Sequence, residues 1–100
     1  MPEAPASASS ARVLGFDFGT RRIGVAFGQR ITGTAQPLIV IANGPSGPDW
    51  PAIERTLREW RPDAAVVGLP LALDGGEQEA SQRARGFAAE LARRSGVPVH

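Results

Sequence analysis

The stretch from Gly15 to Gly28, GFDFGTRRIGVAFG, sets a single carboxylate, Asp17, between two phenylalanines and follows it at once with Gly-Thr-Arg-Arg. A strand that only had to fold would do better with Val or Ile at that position. The residue types absent from the sequence narrow the chemistry that Asp17 can join. The 100 residues contain no Lys, Cys or Tyr, and the sole histidine is His100. A P-loop lysine, a Schiff base and a thiol nucleophile are thereby excluded, and a Ser-His-Asp triad has only a terminal histidine to draw on. Carboxylates, hydroxyls, backbone amides and arginines remain, a set that works best with a bound divalent metal.

Asp17 admits two readings. On the sparse face of a strand, beside Gly15 and opposite Gly24, Ala26 and Gly28, a partly desolvated carboxylate needs a partner, and hard Mg²⁺ or Mn²⁺ supplies one. At a strand end it can instead accept backbone N–H bonds from the Gly19-Thr20 turn, which is the default for such a residue taken alone. The following residues add weight to a site. Gly19 allows close approach of a backbone, Thr20 offers a hydroxyl, and Arg21 and Arg22 suit phosphate. A second constellation, GLPLALDGG, follows an apolar strand at the carboxyl end where α/β sheets place ligands. Asp74 and Gly75 there are candidate substrate-binding residues along with Gly19, Thr20, Arg21 and Arg22. Asp74 by itself reads as a turn or cap residue, and Glu77 as a first-turn partner of the helix dipole. Arg83 and Arg85, within RARGFAAELARR, read by default as a solvated face.

The elements that must position these residues follow from periodicity. Arg12 to Phe18 alternates, with Leu14, Phe16 and Phe18 on one face and Val13, Gly15 and Asp17 on the other. Arg22 to Gly28 alternates again, so GTRR joins an antiparallel hairpin. Thr34 to Ile41 is a third strand whose Pro37 demands a sheet edge or a bulge, and ANGPSGP reads as a loop. Asp49 caps a helix with Pro51 in its first turn. Ile53, Leu57 and Trp60 form the apolar stripe of this helix, and Pro62 ends it. Ala64 to Leu69 is a buried strand. A second helix runs from about Glu77 to Ser95 with the stripe Ala80, Ala84, Phe87 and Leu91. Glu77 and Glu79 stand at its start and Arg93 and Arg94 at its end, Gly96 is its C-cap, and VPVH opens another strand. The order β-β-β-α-β-α-β describes a mixed α/β sheet with helices on its faces.

Composition sets the frame. The sequence is 42% hydrophobic and 21% charged, with a net charge of +1, as a globular domain requires. All eleven basic residues are Arg, for which an Arg- and Ala-rich composition is the plain explanation, and the overall charge does not announce a nucleic-acid binder. Residues 1–11, Pro/Ala/Ser-rich, read as a disordered leader rather than a secretory signal. Residues 12–100 read as one domain with no membrane span. The absence of cysteine fits a reducing, cytoplasmic setting.

Three segments, GFDFGTRRIGVAFG, AAVVGLPLALDGG and ARGFAAELARRSGVPV, together resemble the YqgF/RuvX family of Holliday-junction-resolvase-like proteins. These are ribonuclease H-like nucleases also described as pre-16S rRNA processing nucleases. The resemblance covers about Arg12 to His100. It implies a ribonuclease H-like mixed five-stranded sheet with helices on both faces, the first three strands antiparallel and the Pro37 strand at the edge. It implies that Asp17 is the catalytic carboxylate of the first strand, holding Mg²⁺ or Mn²⁺, and that water hydrolyses a phosphodiester in RNA or branched DNA. A ribosome precursor or the transcription machinery would be the partner. The family's Asp-Glu-Arg motif and its later catalytic Asp are not within these 100 residues, so the resemblance implies a domain incomplete at its C-terminus. Two other functions compete. A non-catalytic module would dock to RNA or the transcription machinery. An actin-like or sugar-kinase-like ATPase fragment would use the same D-x-G-T hairpin for ATP phosphates, and ATP binding would reveal it.

Overall fold

Alternating side chains in the first half of the chain build an antiparallel meander. The computed structural model describes residues 11–29, 34–68 and 77–100; the leader through residue 10, Leu69, Asp74, Gly75 and the side chains of Glu77, Glu79 and Ala80 lie outside the described residues. Strands β1 (Arg12–Phe18), β2 (Arg22–Gln29) and β3 (Thr34–Gly44) pair in sequence, and a two-residue β4 (Gly47–Pro48) folds back on Asn43 and Gly44. The third strand therefore runs past Ile41, because Ala42 still pairs with Arg22 and the next two residues pair with β4. Pro37 sits where the register slips: Ala26 faces Pro37 but Val25 faces Ile39, so Leu38 is an extra residue in the ladder. A bulge absorbs the donor that proline lacks.

Helix α1 (Trp50–Trp60) begins where Asp49 accepts a hydrogen bond from the Ala52 N–H at 3.3 Å, with Pro51 in the first turn, where no partner for its nitrogen is required. The helix ends at Arg61, which adopts a left-handed conformation (φ 45°) while its N–H still reaches the Leu57 carbonyl at 2.9 Å. The next residue, Pro62, disfavours helical geometry at its predecessor. Strand β5 (Ala64–Gly68) then pairs in parallel with β1. Helix α2 (Glu77–Ser95) closes with Gly96 at φ 73°, and residues 98–100 lie parallel to β5 through the bridge Ala65–Val99. The sheet order is β4-β3-β2-β1-β5.

The core forms on one face of this sheet. Leu14, Phe16, Phe18, Ile23, Val25, Ile41, Ala65 and Val67 meet Ala52 and Ile53 of α1 and Ala84, Phe87 and Leu91 of α2. Phe87 is the hub, with ring centroids 5.8 Å from Phe16, 5.2 Å from Phe18 and 5.3 Å from Trp50. Each such aromatic contributes roughly 1.5–3 kcal/mol on full burial. Both described helices share the core face, and they touch each other through the Arg94–Glu54 ion pair at 2.6 Å. Topology gives the reason. Strands β3, β1 and β5 are mutually parallel, and the chain steps from β3 to β5 and on to residues 98–100 in one direction across the sheet. Right-handed crossovers that never reverse direction put their helices on the same side. Neither described helix is long and apolar enough to cross a membrane.

Candidate active site

The face opposite the two described helices carries the candidate residues. Asp17 pairs across the sheet with Gly24 of β2 on one side and with Gly68 of β5 on the other. Two glycines beside one carboxylate leave a concavity of about 620 Å³ whose lining includes Gly15, Asp17, Gly24, Ala26, Val40 and Gly68. Its walls are otherwise apolar, with Val40 63% exposed, and Val66, paired with Gly15 on the same face, is 43% exposed. The Asp17 carboxylate is exposed and makes no hydrogen bond or ion pair among the described residues. Of the Gly19-Thr20 turn amides expected as its partners, that of Gly19 is engaged elsewhere, donating to the Arg22 carbonyl at 2.9 Å.

The turn beside Asp17 is held from two directions. A Cβ at Gly19 would lie 2.6 Å from the Arg22 carbonyl oxygen, so the glycine permits a close intramolecular approach. From β3, Asn43 donates through Nδ2 to the Gly19 carbonyl at 2.7 Å and through its backbone N–H to the Arg21 carbonyl at 2.9 Å. Thr20, Arg21 and Arg22 are exposed on this clamped turn. Asn43, 7% exposed, belongs to β3, although ANGPSGP has the composition of a loop. Continuing the alternation of β3 by one step past Ile41 would have found it, as a polar residue at an inward-facing position.

The second constellation meets the first at its opening residue. Gly68, where GLPLALDGG begins, lies in register with Asp17, so the carboxyl end of β5 delivers that segment to the concavity. Asp74 and Gly75 themselves lie outside the described residues. No cluster of three or more His, Cys, Asp or Glu side chains occurs among the described residues. An oxygen-donor carboxylate free of protein partners fits one coordination position of a hard divalent cation; it does not make a complete site.

Comparison with known proteins follows this geometry. Residues 11–100 match the family described as RuvX: Holliday junction resolvase. A protein of Enterobacter sp. (strain 638) is 56% identical over 90 residues, which are 90% of this chain and 65% of that protein. One of Azotobacter vinelandii is 56% identical over 88 residues, 88% of this chain and 62% of its own length. Both carry the provisional name pre-16S rRNA nuclease, and the chain thus spans less than two thirds of these relatives. Among solved structures, T. thermophilus RuvC in complex with a Holliday junction substrate superimposes with a TM-score of 0.62 at 22% identity, covering 90% of this chain and 62% of that one. That likeness concerns the fold alone. With nine tenths of its length matched and more than half of the aligned residues identical to those of these relatives, the chain belongs to the RuvX family.

Proposed function

We propose that the protein is a metal-dependent nuclease that hydrolyses phosphodiester bonds in RNA, with precursor 16S rRNA as its substrate. The observation that carries this reading is Asp17: an ionisable group on an open sheet face, flanked by glycines and without a partner among the described residues. Exposed and unpaired among the described residues, the carboxylate is accessible to a cation. RNA is favoured over branched DNA because relatives above 50% identity carry the rRNA name, whereas the junction-bound neighbour shares only 22%.

Asp17 holds one coordination position of Mg²⁺ or Mn²⁺, and the remaining ligands come from outside the described residues. When bound, the cation supplies charge stabilisation at the phosphoryl group and an activated water. The chain's own groups bind and orient. Arg21 and Arg22 offer guanidinium forks to neighbouring phosphates, and Thr20 adds a hydroxyl donor. Because Asn43 and the Gly19–Arg22 hydrogen bond fix the turn, these donors are positioned before the substrate arrives.

The test is Asp17→Asn in the full-length protein, assayed on a 5′-extended 16S precursor and on a four-way DNA junction with Mg²⁺ or Mn²⁺. Cleavage of the RNA is expected in the parent and none in the variant, whose circular dichroism should be unchanged. Parental rates in the variant would defeat the assignment of Asp17. Cleavage of the junction alone would move the substrate to DNA. RNA binding by the parent without cleavage would mark a docking module.

A further inference from the structure

The turn from Gly19 to Arg22 carries the donors proposed for the substrate, and a residue outside it governs its shape. The turn closes on itself through the Gly19 N–H, which donates to the Arg22 carbonyl at 2.9 Å. Glycine is required at position 19, because a Cβ there would lie 2.6 Å from that carbonyl oxygen. The same permissive backbone does little to fix its own ψ. The Gly19–Thr20 peptide therefore takes its orientation from whatever its carbonyl accepts. The donor is Asn43 Nδ2, at 2.7 Å. Asn43 also fixes the Arg21–Arg22 peptide, since its backbone N–H donates to the Arg21 carbonyl at 2.9 Å. One residue of β3 thus sets the two peptide planes that bracket the tip, Thr20 and Arg21.

Asn43 works from a firm base. It is nearly buried and pairs with Pro48 of β4. The carbonyl of its neighbour Ala42 accepts the N–H of Asp49, the cap of α1, at 3.0 Å. Asp17 and Arg22 stand on other supports. Asp17 lies in the ladder between Gly24 and Gly68, and Arg22 opens β2 opposite Ala42. Removing the Asn43 carboxamide therefore releases the tip of the turn, while Asp17 and Arg22 keep the pairings that hold them.

We infer that Asn43 is a positioning residue for substrate binding. Through the Gly19 carbonyl it holds Thr20 and Arg21 against a phosphate that flanks the scissile one, and it contributes to RNA affinity rather than to the hydrolytic step. The tip lies past the end of β1, beyond Asp17. A flanking phosphate keeps its charge as the reaction proceeds, so contacts to it bind ground state and transition state alike and are read out in KM. Asp17, placed at the phosphoryl group that reacts, is read out in kcat. This inference rests on the reading of the protein as an RNA nuclease.

The test is steady-state cleavage of the 5′-extended 16S precursor by the full-length protein carrying Asn43→Ala. KM is expected to rise about five- to tenfold, with kcat within about twofold of the parent. Partial unfolding would do the opposite, lowering kcat and leaving KM, because unfolded molecules do not turn over. Asn43→Asp keeps the side-chain volume and loses the donor, so it should raise KM at least as far. In a background of Thr20→Ala with Arg21→Ala, Asn43→Ala should change KM less than about twofold, whereas in an Arg22→Ala background its full effect should remain. An equal effect in both backgrounds, or a loss confined to kcat, would overturn the positioning role while leaving the nuclease reading, tested by Asp17→Asn, intact. A parent that cleaves no RNA would overturn both.

Discussion

The side chains around Asp17 owe their placement to residues that do no chemistry. Gly19 is the plainest case. Its own N–H bonds the Arg22 carbonyl, and the same oxygen occupies the position a Cβ would need, 2.6 Å away. Gly19→Ala must therefore displace backbone rather than a pliable side chain. The expected cost is about 1–3 kcal/mol of stability, together with lost activity as Thr20 and Arg21 swing away from Asp17. Gly15→Ala is the control, because nothing lies within 4 Å of that Cβ, and thermal unfolding of the two variants should differ by most of that cost. Asp17 stood out in the sequence as the lone carboxylate on the sparse face of an alternating strand. Asn43 did not, because an Asn followed by Gly and Pro carries the signs of a loop, and β3 extends through it by pairing with the two-residue β4 just downstream.

At the scale of elements, local signals were read well wherever a cap or breaker stood beside the periodic run. Asp49, Pro62 and Gly96 mark helix ends that the structure keeps. Contacts between elements were out of reach. Arg12 is one: its guanidinium donates to the Trp60 carbonyl and lies 5.2 Å from the Phe27 ring centroid, tying β1 to the end of α1. The Glu90 cluster is another. Hydrogen bonds from Arg93, and then from Arg94, hold the Glu90 carboxyl at a pKa of about 2, below its ordinary 4.5. Arg94 also bonds Glu54 and lies over the Trp50 ring at 4.4 Å, so the cluster joins the two helices. Because the folded pKa is depressed, the unfolded chain takes up the proton first. The contribution is complete above about pH 4.5 and is lost as pH falls towards about 2. Glu90→Gln should thus unfold at a lower temperature than the parent near pH 6 and converge with it near pH 2. These charges face solvent, so added salt should narrow the gap at pH 6. A gap independent of pH would show that Glu90 acts by packing alone.

Among the described residues both helices lie on one face of the sheet, and that asymmetry links the fold to its proposed use. Crossovers that move in a single direction place both described helices on one face of the sheet and Asp17 on the other. The sequence conveyed the order of elements but not this outcome, since handedness decides the face only once the strand order is known. The expectation of helices on both faces came from the resemblance to longer proteins, of which this chain spans 65% or less in the relatives compared. Adjacent residues of β5 test the asymmetry directly. Val67 is 8% exposed and packs in the core, whereas Val66 points to the open face at 43% exposure. Val→Thr keeps the branched shape and the strand propensity and changes only a methyl into a hydroxyl. In this 100-residue chain, Val67→Thr should cost about 1–3 kcal/mol, because its hydroxyl is taken out of water, while Val66→Thr should stay within about 0.5 kcal/mol of the parent. Urea unfolding of the pair measures the difference. Equal losses would mean that both faces are covered in solution, and Asp17 could not then meet a strand of RNA across an open sheet.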